Sequence, residues 1–176
     1  MRARLLAAAV VAAALSTTSV SATVLIDRDN GGPVEEYIAR FLQVRGSGEL
    51  VVIDGECLSA CTMVLGLLPR GRVCVTPNAV LGFHAAWRFD DAGGHVTSAS
   101  GTRTLMKTYP APVRTWIAQH GGLTPNMKIL HGRELAAIVP PCDDASGAAA
   151  ITRARRVGSV RQVLRADPRR ASVDAP

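Results

Sequence analysis

The chain has 176 residues, a formal net charge of +6, 48% hydrophobic residues and only 4% aromatics. The charge is unevenly placed: Arg2 and Arg4 open the chain, seven arginines fall between Thr152 and Pro176, and residues 23–151 hold 11 basic against 12 acidic side chains, a net −1. With its basic charge in a tail and few rings for base stacking, the body is not expected to bind nucleic acid.

The first 22 residues read as a signal peptide. Arg2 and Arg4 precede an unbroken apolar run from Leu5 to Leu15, then polar Ser16 to Ser19, then Val20-Ser21-Ala22 as a small-x-small cleavage site. The run of 11 residues is well short of the roughly 20 that span a bilayer. Cleavage after Ala22 leaves a mature chain from Thr23, with no membrane insertion expected and a periplasmic or secreted location. Residues 23–150 are expected to form one domain, long enough to bury a core without metal. Residues 151–176 are an Arg-rich tail, solvated or touching a polyanion or anionic membrane.

Thr23 to Asp27 reads as a strand and Asp29-Asn30-Gly31-Gly32 as a loop. Pro33 suits the first position of a helix along which Val34, Tyr37, Ile38, Phe41 and Leu42 recur at helical spacing, ended by Gly46-Ser47-Gly48. Leu50 to Ile53 is a buried-strand run closed by Asp54-Gly55. Ser59 to Leu68 reads as an apolar helix, Arg72 to Thr76 and Ala79 to Phe83 as strands. This alternation predicts βαβ units and an α/β fold with a mainly parallel sheet. Asp90 to Gly101 is polar and glycine-rich, an expected exposed loop. Pro112 to His120 and Arg133 to Ile138 read as helices. Beyond Ala150 no periodicity stands out.

Cys57, Cys61, Cys74 and Cys142 all lie in the mature chain. An even count in an exported protein argues for two disulfides, with three connectivities open. No metal site or cofactor is expected, since zinc would want paired short spacings and further histidines. His95, His120 and His131 read as surface residues. Ser59, between a buried strand and an apolar helix, reads by position alone as a helix cap; Cys-Leu-Ser-Ala-Cys lacks the Gly-x-Ser-x-Gly elbow of α/β-hydrolases.

Three segments give Ser59 another role. Asp29-Asn30-Gly31-Gly32 resembles the Ser-Pro-Gly-Gly loop of the Clp protease proteolytic subunit. Gly55-Glu56-Cys57-Leu58-Ser59-Ala60 falls where that family has Gly-x-Ala-Ala-Ser-Met. Arg72 to His84 resembles the stretch that ends in the family's catalytic histidine, and Ser59 and His84 keep the family's separation of 25 residues. The likeness covers Val24 to Trp87, and Thr124 to Cys142 faintly; exported Clp-like bacterial proteins with Cys-x-Ser-Ala-Cys and Gly-x-His are more similar still. It implies a ClpP/crotonase-like fold of repeated β-β-α units, Ser59 as nucleophile, His84 as base, and the backbone N–H groups of Gly32 and Ala60 as oxyanion donors. Serine needs such a base within hydrogen-bond reach to lose its proton, and neutral imidazole supplies one near pH 7.

The aligned position of the family's aspartate holds Met127, with Asn126 beside it as the possible third member of the triad. An amide in place of a Ser triad's aspartate costs about 10⁴ in kcat. The resemblance also places Cys142 on a final strand near Cys74, which implies Cys74–Cys142 and leaves Cys57–Cys61 around the nucleophile. Two functions follow: a cofactor-free serine hydrolase acting on peptide or protein substrates, as a homo-oligomer or a single chain, or a non-catalytic relative that keeps the peptide cleft. A crotonase-type acyl-CoA enzyme fits poorly, because coenzyme A is not expected outside the cytoplasm.

Overall fold

The computed structural model describes residues 23–143 and residue 152. The expected signal peptide, residues 144–150 of the expected domain, and the expected tail apart from residue 152 lie outside the described residues. Strand β1 (Thr23–Asp29) and strand β2 (Leu50–Leu58) pair in parallel, Val24 opposite Val51 and Ile26 opposite Ile53. Helix α1 (Val34–Ser47) makes the crossover and buries Tyr37, Phe41 and Val44 against them. Pro33 sits one place earlier than expected, as the residue that precedes the helix.

Strand β2 does not end at Asp54-Gly55 but runs on to Leu58. The register of β1 shifts between Ile26 and Arg28, opposite this point, and a Cβ on Gly55 would fall on the Asp27 carbonyl oxygen. Glycine here permits a close approach of two backbones rather than ending a strand. The expected helix from Ser59 to Leu68 is a 3₁₀ turn, Ser59–Met63, followed by the single-turn helix α2 (Val64–Leu67). Leu68 is extended (φ −101°, ψ 152°) because it precedes Pro69, which disfavours helical backbone in the residue before it.

Strands β3 (Val73–Val75) and β4 (Val80–Phe83) both pair in parallel with β2, the first along Val51–Ile53 and the second along Glu56–Leu58. Strand β7 (Lys128–His131) closes the row antiparallel to β4, giving the order β1-β2-β4-β7 with β3 also beside β2. The sheet is mainly parallel and the fold is α/β. The segment expected as a loop over Asp90 to Gly101 is instead part of a hairpin of β5 (Trp87–Phe89) and β6 (His95–Thr97), followed by the start of helix α3 (Ala99–Thr108). Its polar residues build the turn: Asp90 Oδ1 accepts from the N–H groups of Ala92 and Gly94, and Ser98 Oγ caps α3. Helices α4 (Ala111–Gln119) and α5 (Gly132–Ile138) match the expected pieces within a residue.

The core is lopsided. Alternation along β1 and β2 sends Ile26, Val51 and Ile53 into a large cluster with α1, the 3₁₀ turn at Ser59 and α4, where Phe83 packs against Tyr109 and Trp116 at ring separations of 5.4 and 5.6 Å. The other face buries only Leu25, Val52 and Cys74, with Leu50 and Cys142 against them. Disulfides join Cys57 to Cys61 and Cys74 to Cys142, with Cα separations of 5.3 and 4.8 Å, the pairing that the resemblance implied. The second one ties the C-terminal segment to β3, where Val75 exchanges backbone hydrogen bonds with Pro140 and Cys142. Among the described residues no helix is long and apolar enough to cross a membrane.

Candidate functional site

The carboxyl ends of β2 and β4 lie side by side, Leu58 being paired with Gly82. Ser59 follows the first strand and His84 the second, so the parallel register brings residues 25 apart in sequence to one edge of the sheet. Both are half-buried, and both line one cavity of about 610 Å³ with Gly31, Gly32 and Ala60. Pockets of this size suit a ligand several groups long. The hairpin residues Trp87, Arg88 and Phe89 form another part of its wall. Trp87 and Phe89 are exposed, and His95 lies stacked on the Trp87 ring at 4.1 Å.

Ser59 has φ 57°, the left-handed region, and among the described residues it is the one non-glycine with positive φ. An L-residue pays about 1–2 kcal/mol for that backbone, and such outliers gather at functional sites. Three supports hold it. The Cys57–Cys61 bond closes the turn around it. The Thr62 hydroxyl donates to the Ser59 carbonyl at 2.6 Å, and since that uses its one proton, the Tyr109 hydroxyl donates to Thr62 at 2.8 Å. Burial pushes the Tyr109 phenol up to about 12, which keeps that donor proton in place. No side chain caps the turn, so the Ser59 hydroxyl is not a capping group.

His84 Nδ1 lies 2.7 Å from the carbonyl oxygen of Ala85. A carbonyl only accepts, so Nδ1 carries a proton, and in the neutral ring Nε2 is then the nitrogen with the lone pair, the tautomer a general base needs. Among the described residues no carboxylate contacts His84. Asn126 is exposed, and its carbonyl accepts from the Thr124 hydroxyl at 3.2 Å; Met127 is exposed as well.

The glycine loop is packed directly on the turn at Ser59. Gly31 has φ 79°, and a Cβ there would lie 2.6 Å from Ser59 Cβ, 2.7 Å from the Leu58 oxygen and 2.9 Å from the Ala60 nitrogen. Beneath the loop is a buried polar group that sequence reasoning missed. Asp29 Oδ1 accepts from the Gly31 N–H at 2.9 Å and from the Tyr37 hydroxyl, while Arg40 stands 3.8 Å from Oδ2 with its guanidinium over the Tyr37 ring. Burial, with Asp29 adding to it, raises the Tyr37 phenol well above the ordinary tyrosine range. Tyr37 reads in the sequence as one more apolar position of α1; the i, i+3 spacing of a phenol and a guanidinium next to an Asp-x-Gly loop was the signal available. Among the described residues no cluster of His, Cys, Asp and Glu could hold a metal ion.

No protein-family model and no curated protein matches the chain. Among solved structures it is similar to a ClpP1 mutant from Listeria monocytogenes, at 16% identity and a TM-score of 0.45, over 71% of this chain and 75% of that one. It is similar also to a crystal structure of an enzyme, at 10% identity and a TM-score of 0.43, over 68% of this chain and 74% of that one.

Proposed function

We propose that the protein is an exported Clp-like serine hydrolase acting on peptides. The observation that carries this reading is Ser59 itself, a serine held in left-handed backbone on the wall of a cavity that it shares with His84 and the glycine loop. In the proposed reaction His84 Nε2 takes the Ser59 proton as Oγ attacks the scissile carbonyl. The N–H groups of Gly32 and Ala60 hold the oxyanion, and the proton passes to the leaving amine as the C–N bond breaks. Water, deprotonated by the same imidazole, then releases the acyl group and restores Ser59. The Ala85 carbonyl sets the histidine tautomer in place of an aspartate, without the charge that stabilises imidazolium, so turnover is slow.

A non-catalytic peptide-binding protein is the second reading, favoured by the absence of a carboxylate at His84 among the described residues and by Met127 at the aligned aspartate position. Labelling with a fluorophosphonate decides between them. The wild type should be labelled and Ser59→Ala and His84→Ala should not, while Asn126→Ala should match the wild type unless that amide is the third member. A wild type that resists labelling would leave the binding reading. Export belongs to the same proposal; two disulfides suit an oxidising compartment. A homo-oligomer, implied by the resemblance, is measured by sedimentation.

A further inference from the structure

Asp29 is the one acidic residue buried in the described chain, its side chain 3% exposed. A buried carboxylate is costly unless it is paired, and an apolar residue of similar size would pack at less cost. What Asp29 touches gives the reason for keeping it. Its Oδ1 accepts the Gly31 N–H and the Tyr37 hydroxyl, and Arg40 faces Oδ2 from the next turn of α1. The loop so held is the one whose Gly32 lines the cavity beside Ser59 and Ala60.

A Gly-Gly peptide can face either way at little cost, because neither residue has a Cβ to penalise a flip. One orientation offers the Gly32 N–H to the cavity; the other offers the Gly31 carbonyl oxygen, which would repel a developing oxyanion. Resting on the hydrolase reading above, we propose that Asp29, set by Tyr37 and Arg40, is a latch that holds the Gly31–Gly32 peptide with its donor toward the oxyanion. Fixing the Gly31 N–H inward fixes the plane of the Asn30–Gly31 peptide. The left-handed turn at Gly31 then determines where the next N–H points. Tyr37 stays protonated and so remains a donor to Asp29, and Arg40 offsets a negative charge that would otherwise stand behind the oxyanion. Asp29 acts through the loop and does not touch substrate: it is a positioning residue.

The test separates the latch from the fold and from the hydrolase reading. Asp29→Ala should lower the second-order rate of fluorophosphonate labelling by about 10²-fold, the loss expected when one oxyanion donor is misplaced. Asp29→Asn, which keeps an acceptor oxygen for the Gly31 N–H, should restore the rate to within about tenfold of wild type. Affinity for a non-reacting peptide, measured in a Ser59→Ala background, should not change with either substitution, since ground-state binding does not use the oxyanion donors. Wild-type labelling by Asp29→Ala, or equal losses in rate and in peptide affinity, would overturn the proposal. Should Asp29→Ala fail to fold, Tyr37→Phe serves instead, removing one donor to Asp29 without unpairing a buried charge: a labelling loss with unchanged peptide affinity supports the latch, and an unchanged rate overturns it. Amide exchange of Gly31 reads the latch even in a protein that is not labelled. Protection in the wild type that disappears in Tyr37→Phe or Asp29→Ala supports it, and fast exchange in the wild type overturns it. Failure of the wild type to label, with Gly31 protected, would count against the hydrolase reading alone.

Discussion

Gly31→Ala and Gly32→Ala place the same methyl group on adjacent residues, with very unequal losses expected. At Gly31 the backbone is left-handed, which costs an L-residue about 1–2 kcal/mol. The new Cβ also meets three atoms of Leu58, Ser59 and Ala60 at 2.6 to 2.9 Å, two of them backbone. Such overpacking adds about 1–3 kcal/mol. The total, about 2–5 kcal/mol, corresponds to a melting temperature lower by roughly 8–20 °C for a domain of about 120 residues. At Gly32 the backbone is ordinary and the nearest atom is the edge of the Tyr37 ring at 3.2 Å, so the loss should stay below about 1 kcal/mol. Thermal unfolding by circular dichroism gives both numbers, and fluorophosphonate labelling shows whether relief of the clash has moved Ser59. If Gly31→Ala melts within about 2 °C of Gly32→Ala, the packing of loop on turn described above is wrong.

Three further outcomes are expected. The Cys74–Cys142 bond closes a span of 68 residues and the Cys57–Cys61 bond a span of 4. On the chain-entropy account the double alanine variants should lose about 4 and about 2 kcal/mol respectively in denaturant titrations; equal losses would show that loop length is not what matters. Tyr109 keeps its proton in the folded state up to about pH 12, whereas the unfolded chain loses it near pH 10. Its contribution is therefore intact below about pH 10 and falls by about 1.4 kcal/mol per pH unit between there and about pH 12, and Tyr109→Phe should flatten the stability curve by that slope. Mass spectrometry of envelope fractions should find a mature chain beginning at Thr23, and recovery of the full-length chain alone would oppose export.

The parts of the fold legible in the sequence were those with a local cause. Apolar runs such as Leu50 to Ile53 announce buried parallel strands, and the helical spacing of Tyr37, Phe41 and their neighbours announces α1. Failures arose where tertiary contacts decide. Asp54-Gly55 has the composition of a turn, yet the bulge at Asp27 turns the glycine into a point of backbone contact inside a strand. The hairpin after His84 has alternating rings, but its turn residues dominate the composition of the segment. Strand β7 buries Leu130 alone, too little for a pattern. Ser59, His84 and the glycines, singled out in the sequence by motif order and spacing, line one cavity. Their supports were not legible: the Thr62–Tyr109 pair spans 47 residues, and the partner that fixes the His84 tautomer is a backbone carbonyl, which no side-chain pattern encodes.

The thin second face of the sheet bears on the order of events in the life of the chain. One side of β1, β2 and β3 buries three residues under a segment held by a disulfide and by the two backbone hydrogen bonds of one parallel bridge. Helix α5 and the residue after it already anchor the chain to the main core through Leu135 and Val139, so without the covalent bond only the stretch from Pro140 to Cys142 depends on those few contacts. While its thiols are reduced the chain therefore keeps its C-terminal cover loosely, and the face of Leu25 and Val52 opens to solvent more readily. The Cys74–Cys142 bond thus fastens the edge of an already packed core, and its formation is expected to tighten the cover over Leu25 and Val52 rather than to decide whether the domain folds.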